Sequence, residues 1–387
     1  MKKGWKTELL GELCDVLDHK RKPITKRDRE AGEYPYYGAT GVLDNVAGYL
    51  FDEPLVLVGE DGAKWASGEN TAFAVEGKIW VNNHAHVLRP HRTVLVDNWL
   101  IYHLNHTDLI EFVSGLTVPK LNQGRLREIP IPVPPLAEQQ RIVGLLDEAF
   151  EGIATAKAKA EKNLQNARAL FESHLQSVFT QNGEAWVKTT LEEMIESNII
   201  GLTKNSSEQG NDKAWPYVKM NNITRNSGFD FSNYTCVDAI AEEVSKFSLK
   251  DGDFLFNTRN SHELVGKSCI YESDSNDIVL YNNNIMRIRF HRGIDPGFVL
   301  LAFSSKSVAD ELNALKSGST NVSAIYFKDL KSLVIPIPPI EEQKKIAAKL
   351  KTIDAETQRL ARLYERKLAA LEVLKKSLLH QAFSGEL

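Results

Sequence analysis

Cysteine is scarce in this chain of 387 residues: Cys14, Cys236 and Cys269 are three, an odd number, and lie far apart. That argues against a disulfide framework, rules out a cysteine-built metal site and fits a reducing cytoplasm. No run of 18 apolar residues occurs and no signal-peptide pattern opens the chain. The expectation is a protein that neither spans a membrane nor is secreted by that route. Catalytic signatures are missing as well. There is no GxxxxGK[ST] phosphate loop, no GxSxG elbow, no HExxH helix and no glycine-rich strand–turn–helix for a nucleoside cofactor. The (N/D)PP(Y/F) tetrapeptide of amino-methyltransferases is absent too; both Pro-Pro pairs are flanked by apolar residues, Val133 and Leu136 in one case, Ile337 and Ile340 in the other. Nor is there an excess of positive charge, since 47 Lys and Arg stand against 51 Asp and Glu, a net charge of −4. A local basic face remains compatible with that sum, because binding follows charge distribution.

What the chain does have is a repeat. IPIPVPPLAEQQRIVGLLDEAF, from residue 129, and LVIPIPPIEEQKKIAAKLKTID, from residue 333, open two segments that align without a gap at an offset of 204. Pro134-Pro135 falls on Pro338-Pro339, Glu138-Gln139 on Glu342-Gln343, Leu175 on Leu379 and Phe179 on Phe383. A loop tolerates insertions; a helix that must keep its face against a partner does not. The lead-in cannot be helical, because Pro removes N–H groups and restricts the residue before it. Glu138 and Glu342 would sit in the first helical turn, where the dipole favours acids. Apolar residues then recur every three or four positions. One arm carries Ile142, Leu146, Ala149, Ile153, Ala160, Leu164, Ala167, Phe171, Leu175 and Val178; the other Ile346, Leu350, Ile353, Leu360, Tyr364, Leu368, Leu371, Leu374 and Leu378. This matches a coiled-coil seam better than a globular core helix. At 1.5 Å per residue, about 45 residues span roughly 65–70 Å. A lone helix of that length would leave its stripe wet, so the two arms are expected to pack on each other.

The repeat extends beyond the arms. GWKTELLGEL (4–13) resembles AWVKTTLEEM (185–194), pairing Trp5 with Trp186 and Leu10 with Leu191. SGLTVPKLNQGRLREI (114–129) resembles SGSTNVSAIYFKDLKSL (317–333), with Leu126 on Leu330. The plan is therefore module 1–133, arm 134–182, module 183–337, arm 338–387. Each module is large enough for its own core. Strands are expected at 49–62, 78–90, 215–224, 253–260, 268–272 and 283–291, helices at 99–113 and 296–315, and a basic loop at 20–29. The fold class is α+β: two mixed α/β modules alternating with two long helices.

Side chains suited to reading base edges cluster in the second module: Lys219, Asn221, Asn222 and Arg225; Asn257, Arg259, Asn260 and Ser261; Asn282 and Asn283, beside Tyr281 and Asn284. Asn pairs bidentately with adenine and Arg with guanine. The plain alternative is that Asn-rich stretches are turns. In the first module the candidates are Lys20, Arg21, Lys22, Lys26 and Arg27 for phosphates, then Tyr36, Tyr37, Lys64, Trp65, Asn82, Asn83 and His84. A basic run is also what an ordinary solvated face looks like. His84 and His86, on one strand, would share a face that could bind a metal; core or DNA-facing histidines are the other reading, and no metal site is assigned. Asp61 with Glu76 and Lys78 is spaced like a Mg²⁺ nuclease centre, a spacing that chance also produces in a chain 25% charged.

These features together resemble the DNA-specificity subunit of type I restriction–modification systems, over the whole chain. IPIPPIEEQKKIAAKL, the terminal LLHQAFSGEL, VKMNNIT and FLFNTRNSHELVGK carry the resemblance. It implies a non-catalytic subunit whose modules are target-recognition domains, each reading one half of a split site in double-stranded DNA. It implies that the arms pack as an antiparallel coiled coil of fixed length, with Ile142, Leu146, Ile153, Leu164, Phe171, Ile346, Leu350, Ile353, Leu360, Leu368 and Leu371 along the seam or under docked subunits. The implied partners are two modification subunits holding S-adenosylmethionine and two restriction subunits using ATP and Mg²⁺; this chain itself would hold no cofactor. A stand-alone Mg²⁺ nuclease and a coiled-coil interaction protein are the competing readings.

Overall fold

The computed structural model describes residues 4–115, 117–181, 183–273 and 277–387. Its contacts divide the chain into two compact units, Met1–Asn163 with Leu363–Leu387, and Leu164–Arg362. Each unit holds one module and a stretch of both arms. Each arm is a single helix of 45 residues, Leu136–Thr180 and Ile340–Ser384. Neither contains Pro after its first turn, and each starts where the Pro-Pro pair ends. Pro135 O accepts from Glu138 N at 2.8 Å, and Pro339 O from Glu342 N at 2.9 Å.

In the first unit two sheets stack. One has the order Cys14–Val16, Ala85–Pro90, Leu55–Gly59, Ala72–Val75, all antiparallel. The other has the order Gly41–Val46, Ala31–Gly38, Lys78–Val81, Phe51–Asp52, with one parallel pair. Strand alternation explains the stacking. Leu55 and Leu57 face the second sheet, beside Ile79 and Val81. Val56 and Val58 face the helix Asp97–His106, Trp99 and the ends of both arms. A strand buried on both faces does not alternate in polarity, so the run LVLVG is wholly buried. Trp99 is fully buried and donates from Nε1 to Pro132 O at 2.8 Å; Trp5 and Phe383 pack on its ring at 5.6 and 4.7 Å. Within this unit the arms run antiparallel: Lys157 Nζ lies 2.7 Å from Glu372 Oε1, and Arg141 Nη2 lies 2.9 Å from Leu387 O.

The second unit repeats this plan with other residues. One sheet has the order Ile195–Ile200, Ile285–Phe290, Phe254–Asn257, Ser268–Ile270; the other has Gln209–Gly210, Thr235–Val237, Trp215–Val218, Leu280–Tyr281. Phe298 takes the place of Trp99, with Phe179 and Trp186 on its ring at 5.3 and 5.7 Å. Leu175, Phe179 and Leu350 share that core. The edges of the modules also match: Lys6–Leu9 pairs antiparallel with Pro130–Val133, and Val187–Thr190 with Val334–Ile337.

Several expected elements break where a turn is needed. The strand expected over 78–90 is two strands, Lys78–Val81 and Ala85–Pro90, separated at Asn82–His84. The strand expected over 215–224 stops at Val218, and Met220–Asn222 forms a 3-10 turn. The helix expected over 296–315 is two, Pro296–Ser304 and Lys306–Ala314, divided at the fully buried Ser305. The helix expected over 99–113 ends at His106. In the arm stripe, Leu374 is 46% exposed and faces away from the seam; the other stripe residues are buried or half-buried.

Candidate nucleic-acid interface

The motif Pro-Pro-x-x-x-Gln mounts each module on its arm. Gln139 and Gln343 are fully buried. Gln139 donates to Pro134 O at 2.9 Å and Val94 O at 2.8 Å, and accepts from Val96 N at 2.9 Å. Gln343 donates to Pro338 O at 2.8 Å and Gly293 O at 3.0 Å, and accepts from Asp295 N at 2.8 Å. A buried carboxamide with its bonds satisfied is costly to replace.

In the second module the three Asn-rich stretches converge on one edge of the fold. Asn257 is fully buried; its Nδ2 donates to Arg259 O and Asn284 O, both at 3.0 Å, and its Oδ1 accepts from Asn260 Nδ2 at 3.0 Å. Asn222, 3% exposed, clamps Asp230 O at 2.7 Å and Asn233 O at 2.8 Å. Asn282 is also buried, and its Oδ1 receives Asn284 N at 3.3 Å. Asn222, Asn257 and Asn282 belong to the base-reading pattern in the sequence, but burial inside the turns makes them turn-builders instead. Lys267 Nζ donates to Met220 O at 3.0 Å and to Ile223 O, and burial lowers its pKa. What the turns present outward is Asn221, Arg225, Arg259 and Asn283, with Lys219, Asn260 and Ser261 half-buried. Arg225 pairs with Glu263 at 2.9 Å, and both are exposed. The clamped loop also displays Phe231 on Tyr234, ring centroids 4.4 Å apart.

The first module brings Tyr37 and the turn Asn82–His84 to the corresponding edge. Tyr37 O accepts from Asn82 N at 3.0 Å, as Val218 O accepts from Asn282 N at 2.9 Å. Asn82 is buried and its Oδ1 receives His84 N at 2.8 Å. Trp65, 8% exposed, donates to Gly59 O at 3.1 Å, and Tyr36 is buried with its hydroxyl on Ile24 N at 3.0 Å. Asn82, Trp65 and Tyr36 are therefore structural rather than DNA-facing. Tyr37 is half-buried against Phe73. Arg21 points inward too, pairing with Glu60 and with Asp18 at 3.3 Å. Lys20, Lys22, Lys26, Arg27, Lys64, Asn83 and His84 are exposed.

Beneath this edge lies a buried charge network. His86, fully buried, contacts Asp18 Oδ2 from Nδ1 and Leu121 O from Nε2, each at 2.6 Å. Burial alone would raise the Asp18 carboxyl, but the hydrogen bonds and charges of His86, Val87 N and Arg21 together hold it below its ordinary value. Glu60 also takes Lys120 at 2.9 Å. Asp18, Glu60 and His86 are close enough to share a metal ion. Yet both nitrogens of His86 are occupied and both carboxylates already meet cations, so no donor set is left for one. The two histidines also part company, His86 facing inward and His84 sitting exposed against Asp61. The nuclease-like trio does not assemble either. Glu76 follows Val75, which pairs with Leu55, whereas Asp61 lies six residues beyond Leu55 at the other end of the strand. At about 3.3 Å per residue that is on the order of 20 Å. Lys78 lies over the rings of Tyr34 and Tyr49, at 5.8 and 5.0 Å.

Lys120 and Lys267 carry no local signal in the sequence, and Gln139 and Gln343 stand out there only as members of the repeat, with nothing local to mark them as buried joints. The doublets Asn82-Asn83 and Asn282-Asn283, each following an apolar strand, were the available signal that the module interiors share a frame.

Each module is built on stacked sheets and is mounted by a Pro-Pro-x-x-x-Gln joint on the start of a long helix, a plan that occurs twice in the chain. The family of the type I restriction modification DNA specificity domain matches residues 2–165 and 183–366, and the chain belongs to that family. It is a type I specificity subunit, the component of these systems that does not itself catalyse. Among its relatives, S.HindORF215P of Haemophilus influenzae, which carries the name of a type I restriction enzyme specificity subunit, is 27% identical over 89% of this chain and 86% of its own length. The EcoKI specificity subunit of Escherichia coli K12 is 24% identical over 87% of this chain and 75% of its own. The HsdS subunit of Thermoanaerobacter tengcongensis superposes with a TM-score of 0.59 at 20% identity, covering 100% of this chain and 98% of that one. A chain from a type I R-M system solved for its complex assembly and conformational transition reaches 0.69 at 20% identity, covering 100% and 99%.

Proposed function

We propose that the chain reads a bipartite target in double-stranded DNA, one half-site per module, and docks the modification and restriction subunits that act on it. The observation that carries this reading is the convergence, twice in one chain, of separate polar stretches onto the same edge of the same sheet frame. A reader needs donors and acceptors held rigidly at the groove; the buried asparagines supply the rigidity and the exposed side chains the contacts. In the second module these are the exposed Asn221, Arg225, Arg259 and Asn283, together with the half-buried Lys219, Asn260 and Ser261. In the first they are Lys20, Lys22, Lys26, Arg27, Lys64, Asn83 and His84. Two modification subunits would bring S-adenosylmethionine and flip the target adenine out of the stack. Two restriction subunits would bring ATP and Mg²⁺. The arms would set the number of unread base pairs, the half-site logic of dimeric readers carried by one chain. The setting is the cytoplasm, where host DNA is modified.

The experiment is co-expression with a modification subunit and single-molecule mapping of methylated adenine in host DNA. The expected result is a motif of two half-sites separated by a fixed gap. Unmodified DNA from an assembled complex, or methylation without a motif, would refute the reading.

A further inference from the structure

The two modules can be superposed residue by residue at their reading edge. Gly59 pairs with Ala85 as Asn257 pairs with Ile285. One residue on, Glu60 N donates to His84 O and Thr258 N to Asn284 O, both at 2.8 Å. Glu60 O accepts from Leu121 N at 2.8 Å, and Thr258 O accepts from Ile325 N at 3.0 Å. The next residue bridges the same returning strand: Asp61 opposite Lys120, Arg259 opposite Ala324. Asp61 thus stands where the second module holds Arg259, and His84 stands where it holds Asn284. The turn after Asp61 is fixed by Gly62, whose φ of +68° suits glycine.

The two positions carry opposite chemistry. Arg259 is exposed and offers only donors. Asp61 offers only acceptors when ionised; its side chain is 19% exposed and lies against His84, itself 49% exposed, with Lys120 Nζ 3.9 Å from Oδ2. Exposed Lys22, Lys64 and Asn83 belong to the same edge. A carboxylate held on such a face by its neighbours is matched to the DNA where a base donor meets it. In the major groove the only such donors are exocyclic amino groups, on C4 of cytosine and C6 of adenine.

We propose that Asp61, steadied by His84, is a specificity-determining residue that accepts a hydrogen bond from the exocyclic amino group of one base in the first half-site, at the frame position that Arg259 holds in the second module. This rests on the DNA-reading function proposed above.

The test uses the assembled methyltransferase complex and duplexes carrying its mapped target. Each cytosine or adenine is replaced singly by 2-pyrimidinone or purine, which lack the amino group; the two replacements separate the two base sources. For the wild-type chain, one replacement in the first half-site is expected to weaken binding about tenfold. In Asp61→Ala that replacement is expected to cost nothing further, while the second half-site keeps its full replacement profile. Should Asp61→Ala fail to assemble, Asp61→Asn, equal in shape but uncharged, is read instead, and a smaller penalty at the same base is expected. An unchanged penalty at every base in the variant overturns the role of Asp61 and leaves DNA reading intact. A wild-type complex with no base preference in either half-site overturns the reading itself.

Discussion

At His103 the ring donates from Nε2 to Pro130 O at 3.0 Å, while Nδ1 is shut from solvent with no hydrogen-bond partner. Phe383 lies 5.0 Å from the ring. Burial, with a smaller push from His106 and against the pull of the Pro130 carbonyl, takes its pKa from 6.5 down to about 4. The unfolded chain therefore binds a proton that the folded chain refuses between those values. Stability from this group is complete above pH 6.5 and is lost progressively as pH falls toward 4. Urea melts of the wild type at pH 5 against pH 7.5 are expected to show a loss of up to about 2 kcal/mol from this residue. In His103→Gln that part of the pH dependence should vanish; an identical slope in both proteins would place its origin elsewhere. The asparagines teach a different lesson at this scale. Asn222, Asn257 and Asn282 are the residue type that reads adenine and also the type that builds turns, and their burial selects the second role.

At the scale of the element, the arms were the most legible part of the chain. A stripe at every third and fourth position, no Pro after the first turn and a gap-free repeat leave little room for anything but two long helices. The observed helices are of equal length, 45 residues each. Register matters because Ile142 and Leu146 share a core with Leu379 and Ala382, and Leu350 with Leu175 and Phe179. Deleting four residues from one arm shortens it by about 6 Å, the rise of roughly two base pairs, and turns its face by about 40°. The expected outcome is a changed gap in the mapped motif or a complex that no longer assembles. An assembled complex with an unchanged gap would show that the arms do not set the spacing.

At the scale of the whole molecule, a net charge of −4 must be reconciled with binding a polyanion. The resolution is placement. Asp18 and Glu60 are paired below the reading edge with Arg21 and Lys120, while Lys22, Lys26 and Arg27 stay exposed. If those three meet phosphates, the logarithm of the binding constant should fall linearly with the logarithm of salt concentration. Replacing all three with Ala should flatten that slope by about 2.7 and weaken every sequence alike. A slope unchanged by the triple substitution would remove them from the phosphate contacts.

The two long helices and the family were legible before any folding is considered, because they rest on local periodicity and on a repeat held at constant offset. Which polar residues face outward was not legible in that way. Arg21 and Arg27 lie in one basic run, yet one is locked on Glu60 and the other is free to meet solvent. Asp61 and Arg259 look unrelated in the chain and occupy one position in the frame. Burial and pairing are set by residues distant in sequence, and nothing in a local pattern records which turn of the backbone closes over a side chain.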